Sequence, residues 1–187
     1  MRIEDNSALI VIDAQNDFVE NMVEPKSVAD EAVDKIVKVI DFFREKKLPI
    51  IYFRELHRKE LVDFGRELDG DEPVHCVEGT RGAQLVDKIQ PKDGEYIIGK
   101  RRYSTFFGTD LEILLKGLNV KTIYIVGFIT DVCVHYSAVD AHQYDYHVKI
   151  FKDAVAGSSL AAHDASLNAI GYLQVGSVIE VADLNND

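Results

Sequence analysis

The sequence predicts an α/β fold: a three-layer sandwich with a mainly parallel six-stranded sheet and helices on both faces. Three observations carry this. Short apolar runs alternate with longer segments of helical period, at βαβ spacing, throughout the chain. The first run, Ser7 to Ile12, is continuously apolar and reads as a central strand buried on both faces. At 187 residues and 47% hydrophobic content, the chain fits one globular domain over 1–187 with ample sequence for a core.

The elements follow in order. After Ser7–Ile12, Ser27 to Lys46 reads as a helix. Ser27 and Asp30 are spaced as a capping box, and Val33, Ile36, Val37, Ile40 and Phe43 form one apolar stripe. Lys46 and Lys47 suit the negative end of its dipole, and Pro49 stops it. Ile50 to Phe53 is the second strand. Arg54 to Gly82 is polar and without sustained period, a long loop of the kind that usually carries function. A short helix is expected over Ala83 to Ile89, and a third strand over Tyr96 to Ile98, leading to Lys100. Thr109 is placed to start a helix with Glu112 as its capping partner, and Leu111, Leu114, Leu115 and Leu118 face the core. Thr122 to Val126 is the fourth strand, Asp131 to Tyr144 a helix, His147 to Phe151 a fifth strand, Leu160 to Leu173 a helix and Ser177 to Val181 the last strand.

A net charge of −11 argues against nonspecific binding to nucleic acid or to an anionic membrane. No apolar run approaches the ~20 residues of a membrane span. Met1-Arg2-Ile3-Glu4-Asp5-Asn6 lacks signal-peptide character, and two cysteines make no disulfide framework. A cytoplasmic setting is the expectation.

Ligands in such sheets bind at the carboxyl ends of the strands. Asp13, Lys100 and Cys133 fall at such ends. Cys133 is placed in the first turn of a helix that follows a strand, where free N–H groups and the dipole favour a thiolate and can hold an oxyanion. A lone cysteine reads equally well as a small buried residue, a lone Asp as a turn former and a lone Lys as solvated. The three together suit a thiol nucleophile, a carboxylate to take its proton and an ammonium to stabilise the charge.

With these residues in view, the chain resembles the isochorismatase-like cysteine hydrolases, which include nicotinamidases and N-carbamoylsarcosine amidases. The matching pieces are Ile12-Asp13-Ala14-Gln15-Asn16-Asp17-Phe18, Lys100-Arg101-Arg102-Tyr103-Ser104-Thr105-Phe106 and Gly127-Phe128-Ile129-Thr130-Asp131-Val132-Cys133-Val134. The resemblance implies the isochorismatase-like, Rossmann-like hydrolase fold and an Asp13–Lys100–Cys133 triad that cleaves the C–N bond of a small amide through a thioester. It also implies a cis peptide at Phe128–Ile129 and an oxyanion hole made by the N–H groups of Ile129 and Cys133. It places Phe18 and Tyr103 at the substrate, although both read as well as loop packing. Arg101 and Arg102 suit a substrate carboxylate or solvent. It implies a homodimer or homotetramer as well.

Nicotinamidases also carry an Asp-x-His pair after the second strand and a further His in a His-Cys-Val segment. Glu55, His57 and His75 match by position, with Glu for Asp, and suit a divalent ion: Zn²⁺ first, then Fe²⁺ or Mn²⁺. Asp63 is an uncertain substitute for a further ligand. Ion pairing of Glu55 and His57 with Arg54 or Arg58 is the competing reading. Cys76, His135, His142 and His163 read as structural. No organic cofactor is expected: the Gly-rich turn of a dinucleotide site is replaced by Asp13-Ala14-Gln15-Asn16-Asp17. The alternatives are a vinyl-ether hydrolase of the isochorismatase type, an aspartyl-nucleophile phosphatase (in which Gln15 stands where a second Asp belongs) and a non-catalytic binding module.

Overall fold

The computed structural model describes residues 3–185. Six parallel strands form one sheet in the order β3-β2-β1-β4-β5-β6, where β1 is Ser7–Ile12, β2 Ile50–Glu55, β3 Tyr96–Lys100, β4 Thr122–Phe128, β5 His147–Ala156 and β6 Val178–Ile179. Every residue of β1 and β4 is buried, as their unbroken apolar runs require. Helix α2 (Lys26–Glu45) covers one face, where Val33, Ile36, Ile40 and Phe43 pack with Leu9, Val11, Tyr52 and Tyr124. Helices α3 (Leu111–Gly117), α4 (His135–Gln143) and α5 (Leu160–Leu173) cover the other, against Ile10, Ile12, Ile51 and Ile125. No helix among the described residues is long and apolar enough to cross a membrane.

The connections run outward from the centre in both directions, so the strand order reverses between β1 and β4. In an open parallel sheet, the crevice beyond the strand ends at such a reversal is the usual ligand position. Gly127 lets the two strand ends close on each other. It pairs with Ile12 and has φ +121°, and a Cβ on it would lie 1.9 Å from the Ile12 carbonyl oxygen. Only glycine fits.

Several sequence expectations are corrected. Helix α2 starts at Lys26 behind an extended Pro25, so Ser27 already lies inside the first turn and makes no cap hydrogen bond. Residues 83–89 form turns, not a helix. Leu85, Val86 and Ile89 are buried, but the backbone there serves the loop after β1: Leu85 bridges Gln15, and Val86 N–H donates to the Ala14 carbonyl at 2.9 Å. Helix α3 begins at Leu111, and Thr109 Oγ1 accepts its N–H at 3.3 Å, while Glu112 pairs with Lys116 instead of closing a capping box. A short helix, α1 (Asn16–Asn21), follows β1 and was not expected. Strands β2 to β5 run two to five residues beyond their apolar runs, and β6 is shorter than expected.

Candidate active site

Asp13, Lys100 and Cys133 meet at the crevice. Asp13 follows β1 in a left-handed conformation (φ 47°), anchored by its N–H to the Phe53 carbonyl at 3.1 Å. Lys100 is the last residue of β3, and its Nζ lies 2.7 Å from Asp13 Oδ2 and 3.4 Å from Cys133 Sγ. Cys133 lies in a π-helical turn, Thr130–Val134, that precedes α4. Such turns recur at functional sites, where the extra residue re-aims a side chain. The Phe128–Ile129 peptide that leads into it is cis. All three side chains are buried, Cys133 to 1% exposure.

Burial shapes the electrostatics. It lifts the Asp13 carboxyl to about 6 against the opposing pull of Lys100. It works against the charged form of Lys100, yet Asp13, Cys133 and Glu55 hold the ammonium's pKa well above the usual lysine value. It also drives the Cys133 thiol well up, and the nearby Lys100 only offsets part of this. This runs against the expectation of a thiolate favoured by the helix end, because loss of water disfavours the charged form. Burial thus favours the neutral thiol at Cys133 over the thiolate. The Asp13, Glu55 and Cys133 donor atoms lie within 4.8 Å of one another.

The structure brings Glu55, the last residue of β2, into the same crevice. Its Oε2 accepts a short hydrogen bond from Lys100 Nζ and lies 3.7 Å from Cys133 Sγ. Its Oε1 faces His75 Nε2 at 2.8 Å and His57 Nε2 at 3.3 Å. Glu55 thus joins the Lys–Cys pair to the two histidines. Burial opposes its charge, but Lys100 and the two imidazoles keep it well below the usual carboxylate range. Arg58 pairs with Asp63 instead, at 2.8 Å.

The sequence missed two contributors. Gln15 clamps the end of β2, with Nε2 donating to the carbonyls of Glu55 (2.8 Å) and Ala83 (2.9 Å) and Oε1 accepting Glu55 N–H (2.8 Å). Its position two residues after Asp13, the side-chain period of an extended chain, was the available signal. Glu67, on a 3-10 turn (Glu67–Asp69), is the second. Glu55, His57, Glu67 and His75 bring four donor atoms within 4.8 Å of one another, all buried. Asp63 is not in that group; its Oδ1 lies 3.5 Å from His57 Nδ1, on the imidazole's far side.

The donor set fits a divalent cation. His75 Nδ1 faces the Pro73 carbonyl at 2.8 Å and must carry a proton to bond it, so in a neutral ring Nε2 turns its lone pair toward Glu55 Oε1. Two acceptors at 2.8 Å need a cation between them, either a proton or a metal ion. The carboxylates accordingly lift the His57 pKa to about 9 despite burial, and that of His75 also rises.

The pocket residues differ in placement. Phe18 is buried, with its edge against His75 (5.5 Å between ring centroids). Tyr103 is half-buried, stacks on Tyr136 at 5.8 Å and lines an apolar hollow with Arg102, Ser104, Phe107 and Asp140. Arg101 pairs with Glu78 at 2.8 Å, and Arg102 binds the Asp63 carbonyl. Cys76 is fully buried packing. His135, His142 and His163 bond Ser166, Gln174 and Thr130 away from the crevice.

The isochorismatase domain family matches residues 7–183. The chain belongs to that family. Its architecture is that of isochorismatase-like hydrolases of known structure. The pyrazinamidase of Pyrococcus horikoshii, solved in complex with zinc, superposes with a TM-score of 0.83 at 32% identity over 94% of this chain and 99% of its own. The N-carbamoylsarcosine amidase of Thermoplasma acidophilum does so at 0.78 and 28% identity, over 94% and 96%. An Arabidopsis thaliana relative described as a probable inactive nicotinamidase is 32% identical over 87% of this chain and 86% of its own length. This isochorismatase-family chain is thus a member of a hydrolase family with amidases among its relatives.

Proposed function

We propose that the protein is a cysteine-dependent amidohydrolase that cleaves the C–N bond of a small amide and releases ammonia. The observation that carries the reading is Lys100 Nζ held between Asp13 Oδ2 (2.7 Å) and Cys133 Sγ (3.4 Å) in a buried crevice. Asp13, with a pKa of about 6, is ionised at neutral pH and takes the thiol proton. Lys100 stabilises the thiolate as it forms. Sulfur adds to the amide carbonyl, and the N–H groups of Ile129 and Cys133 receive the oxyanion. The C–N bond breaks as Asp13 returns its proton to the leaving ammonia. Water, deprotonated by Asp13, then hydrolyses the thioester to the carboxylic acid and restores the thiol.

Glu55, His57 and His75 are the residues that would hold a divalent ion, Zn²⁺ before Fe²⁺ or Mn²⁺, beside this triad. When bound, such an ion supplies a Lewis acid that orients and polarises a substrate atom. Tyr103 supplies an aromatic wall at the pocket, and Phe18 backs His75. Zinc in the pyrazinamidase and the names of the amidase relatives support the substrate class: nicotinamide-type ring amides or N-carbamoyl compounds.

The test is ammonia release from nicotinamide, pyrazinamide, N-carbamoylsarcosine and simple amides, with Cys133→Ala alongside. Release that disappears in the variant is expected. Release that survives in Cys133→Ala would remove the thiol from the reaction.

A further inference from the structure

We propose that Ser166, on α5, is a positioning residue for the oxyanion hole, acting through the carbonyl of Thr130. The inference rests on the thiol-amidohydrolase reading above and adds to it a residue outside the crevice. Thr130 stands between the two backbone donors assigned to the oxyanion, directly after Ile129 and three residues before Cys133. Such donors work only at ~2.7–3.1 Å from the oxyanion. The orientation of the peptide groups at Thr130 therefore decides whether both N–H groups reach one oxygen.

These peptide groups lie in a π turn, which is wider than an α turn and rare. The Val134 N–H reaches back to the Ile129 carbonyl at 3.2 Å, one residue further than in an α-helix. Contacts from outside hold the turn in this form. The buried Ser166 hydroxyl donates to the Thr130 carbonyl at 3.0 Å. A hydroxyl has a single proton. With that proton on Thr130, Ser166 Oγ accepts from His135 Nδ1 at 2.9 Å. The chain from His135 through Ser166 to Thr130 thus runs in one direction, and each bond polarises the next.

The turn is fastened to the α5 side at two further points. The buried Thr130 Oγ1 lies 2.9 Å from His163 Nδ1. Burial holds the His163 pKa below the usual histidine value, so the ring is neutral at neutral pH. The Asp131 carboxylate accepts the Ser158 N–H at 2.9 Å and the Ser158 hydroxyl at 2.6 Å. Gly157 permits this close approach: a Cβ there would lie 2.6 Å from Asp131 Oδ1 and 3.0 Å from His163 Cβ. His163 and Ser158 grip side chains of the turn. Ser166 grips its main chain, and so governs the peptide plane between the two donors.

The experiment compares wild type, Ser166→Ala, Leu167→Ala and Cys133→Ala. Leu167→Ala empties a core position on the same helix and keeps the Ser166 hydroxyl, so it reports general loosening of α5. Three quantities are read: kcat/KM for the best amide of the panel above, the rate at which iodoacetamide alkylates Cys133, and Tm. In the alkylation sulfur bonds to the methylene carbon, iodide leaves and the thiol proton passes to Asp13. No oxyanion forms, so this rate reports the thiol and its base without the hole. Cys133→Ala gives the background. Losing an oxyanion donor outright costs ~10²–10³-fold, and misplacing one in Ser166→Ala is expected to lower kcat/KM about tenfold while alkylation stays within about twofold of wild type. Leu167→Ala should lower Tm at least as far as Ser166→Ala and leave both rates near wild type. Turnover and alkylation that fall together in Ser166→Ala, or a kcat/KM that falls equally in Leu167→Ala, would reduce Ser166 to packing and overturn the inference. Wild-type kcat/KM in Ser166→Ala would overturn it alone. Turnover that survives in Cys133→Ala, or a wild type that releases ammonia from none of the panel, would overturn the amidohydrolase reading and this inference with it.

Discussion

Asp13 is where sequence, burial and chemistry meet most closely. Its backbone closes β1, its Oδ1 accepts the Glu55 N–H at 3.0 Å, and its Oδ2 pairs with Lys100. Burial lifts its pKa to about 6, so it ionises near neutrality instead of far below it. The sign for activity follows directly. With Asp13 as the proposed base, its carboxylate is free to take the Cys133 proton above about pH 6; below that it already holds one and cannot serve. The kcat/KM profile should show an acid limb with an apparent pKa near that value, falling about tenfold per pH unit below it. Asp13→Asn should lose ~10²–10⁴-fold in rate. A wild-type profile flat down to the ordinary carboxylate range would remove Asp13 from the role of base. Lys100 adds no limb near neutrality, since its neighbours hold its pKa well above the usual lysine value.

At the scale of elements, the crevice depends on how closely the ends of β1 and β4 approach. Gly127→Ala would put a methyl group within 1.9 Å of the Ile12 carbonyl oxygen, at a φ of +121° that side chains avoid. The expected cost is about 3 kcal/mol or more, combining backbone strain with a clash against main chain that cannot rotate away. Chemical denaturation should show it, and a variant as stable as wild type would mean the strands can part without loss. The strands themselves were legible in the sequence because a parallel strand buried on both faces leaves an unbroken apolar run, as in Ser7–Ile12 and Thr122–Val126. Residues 83–89 misled for a related reason. Leu85, Val86 and Ile89 are spaced as on a helix and are buried, but Leu85 and Val86 pair with Gln15 and Ala14, 70 and 72 residues earlier, and periodicity carries no trace of so distant a pairing. The π turn at Thr130–Val134 was hidden likewise, since one extra residue per turn leaves the apolar pattern of a short helix start unchanged.

Over the whole molecule, the site joins a rigid half to a tethered one. Asp13, Lys100 and Cys133 stand at or just beyond sheet strands and could be placed from strand ends alone. Glu67 could not, because nothing in residues 54–82 has a period and its position is set by long-range polar contacts. That segment is held at its far end by Cys76 N–H to Asp17 (2.7 Å), by the His57–Val77 bridge and by Asn16 on the Arg81 carbonyl (2.9 Å). Between these anchors, residues 60–72 are fastened through Asp63, through Phe64 on His57 and through Glu67 beside His57. An ion bound at Glu55, His57 and His75, as proposed, would tie this stretch to the end of β2 through His57 and the neighbouring Glu67. Chelation should cost about 3–4 kcal/mol of stability if the ion is normally present at ~100–1,000 times its Kd. The loss should be uneven. Hydrogen exchange should quicken in residues 60–72 and stay slow in β1 and β4, whose amides are locked in the centre of the sheet. Exchange that quickens equally in loop and sheet, or in neither, would mean that the ion does not act as the tether.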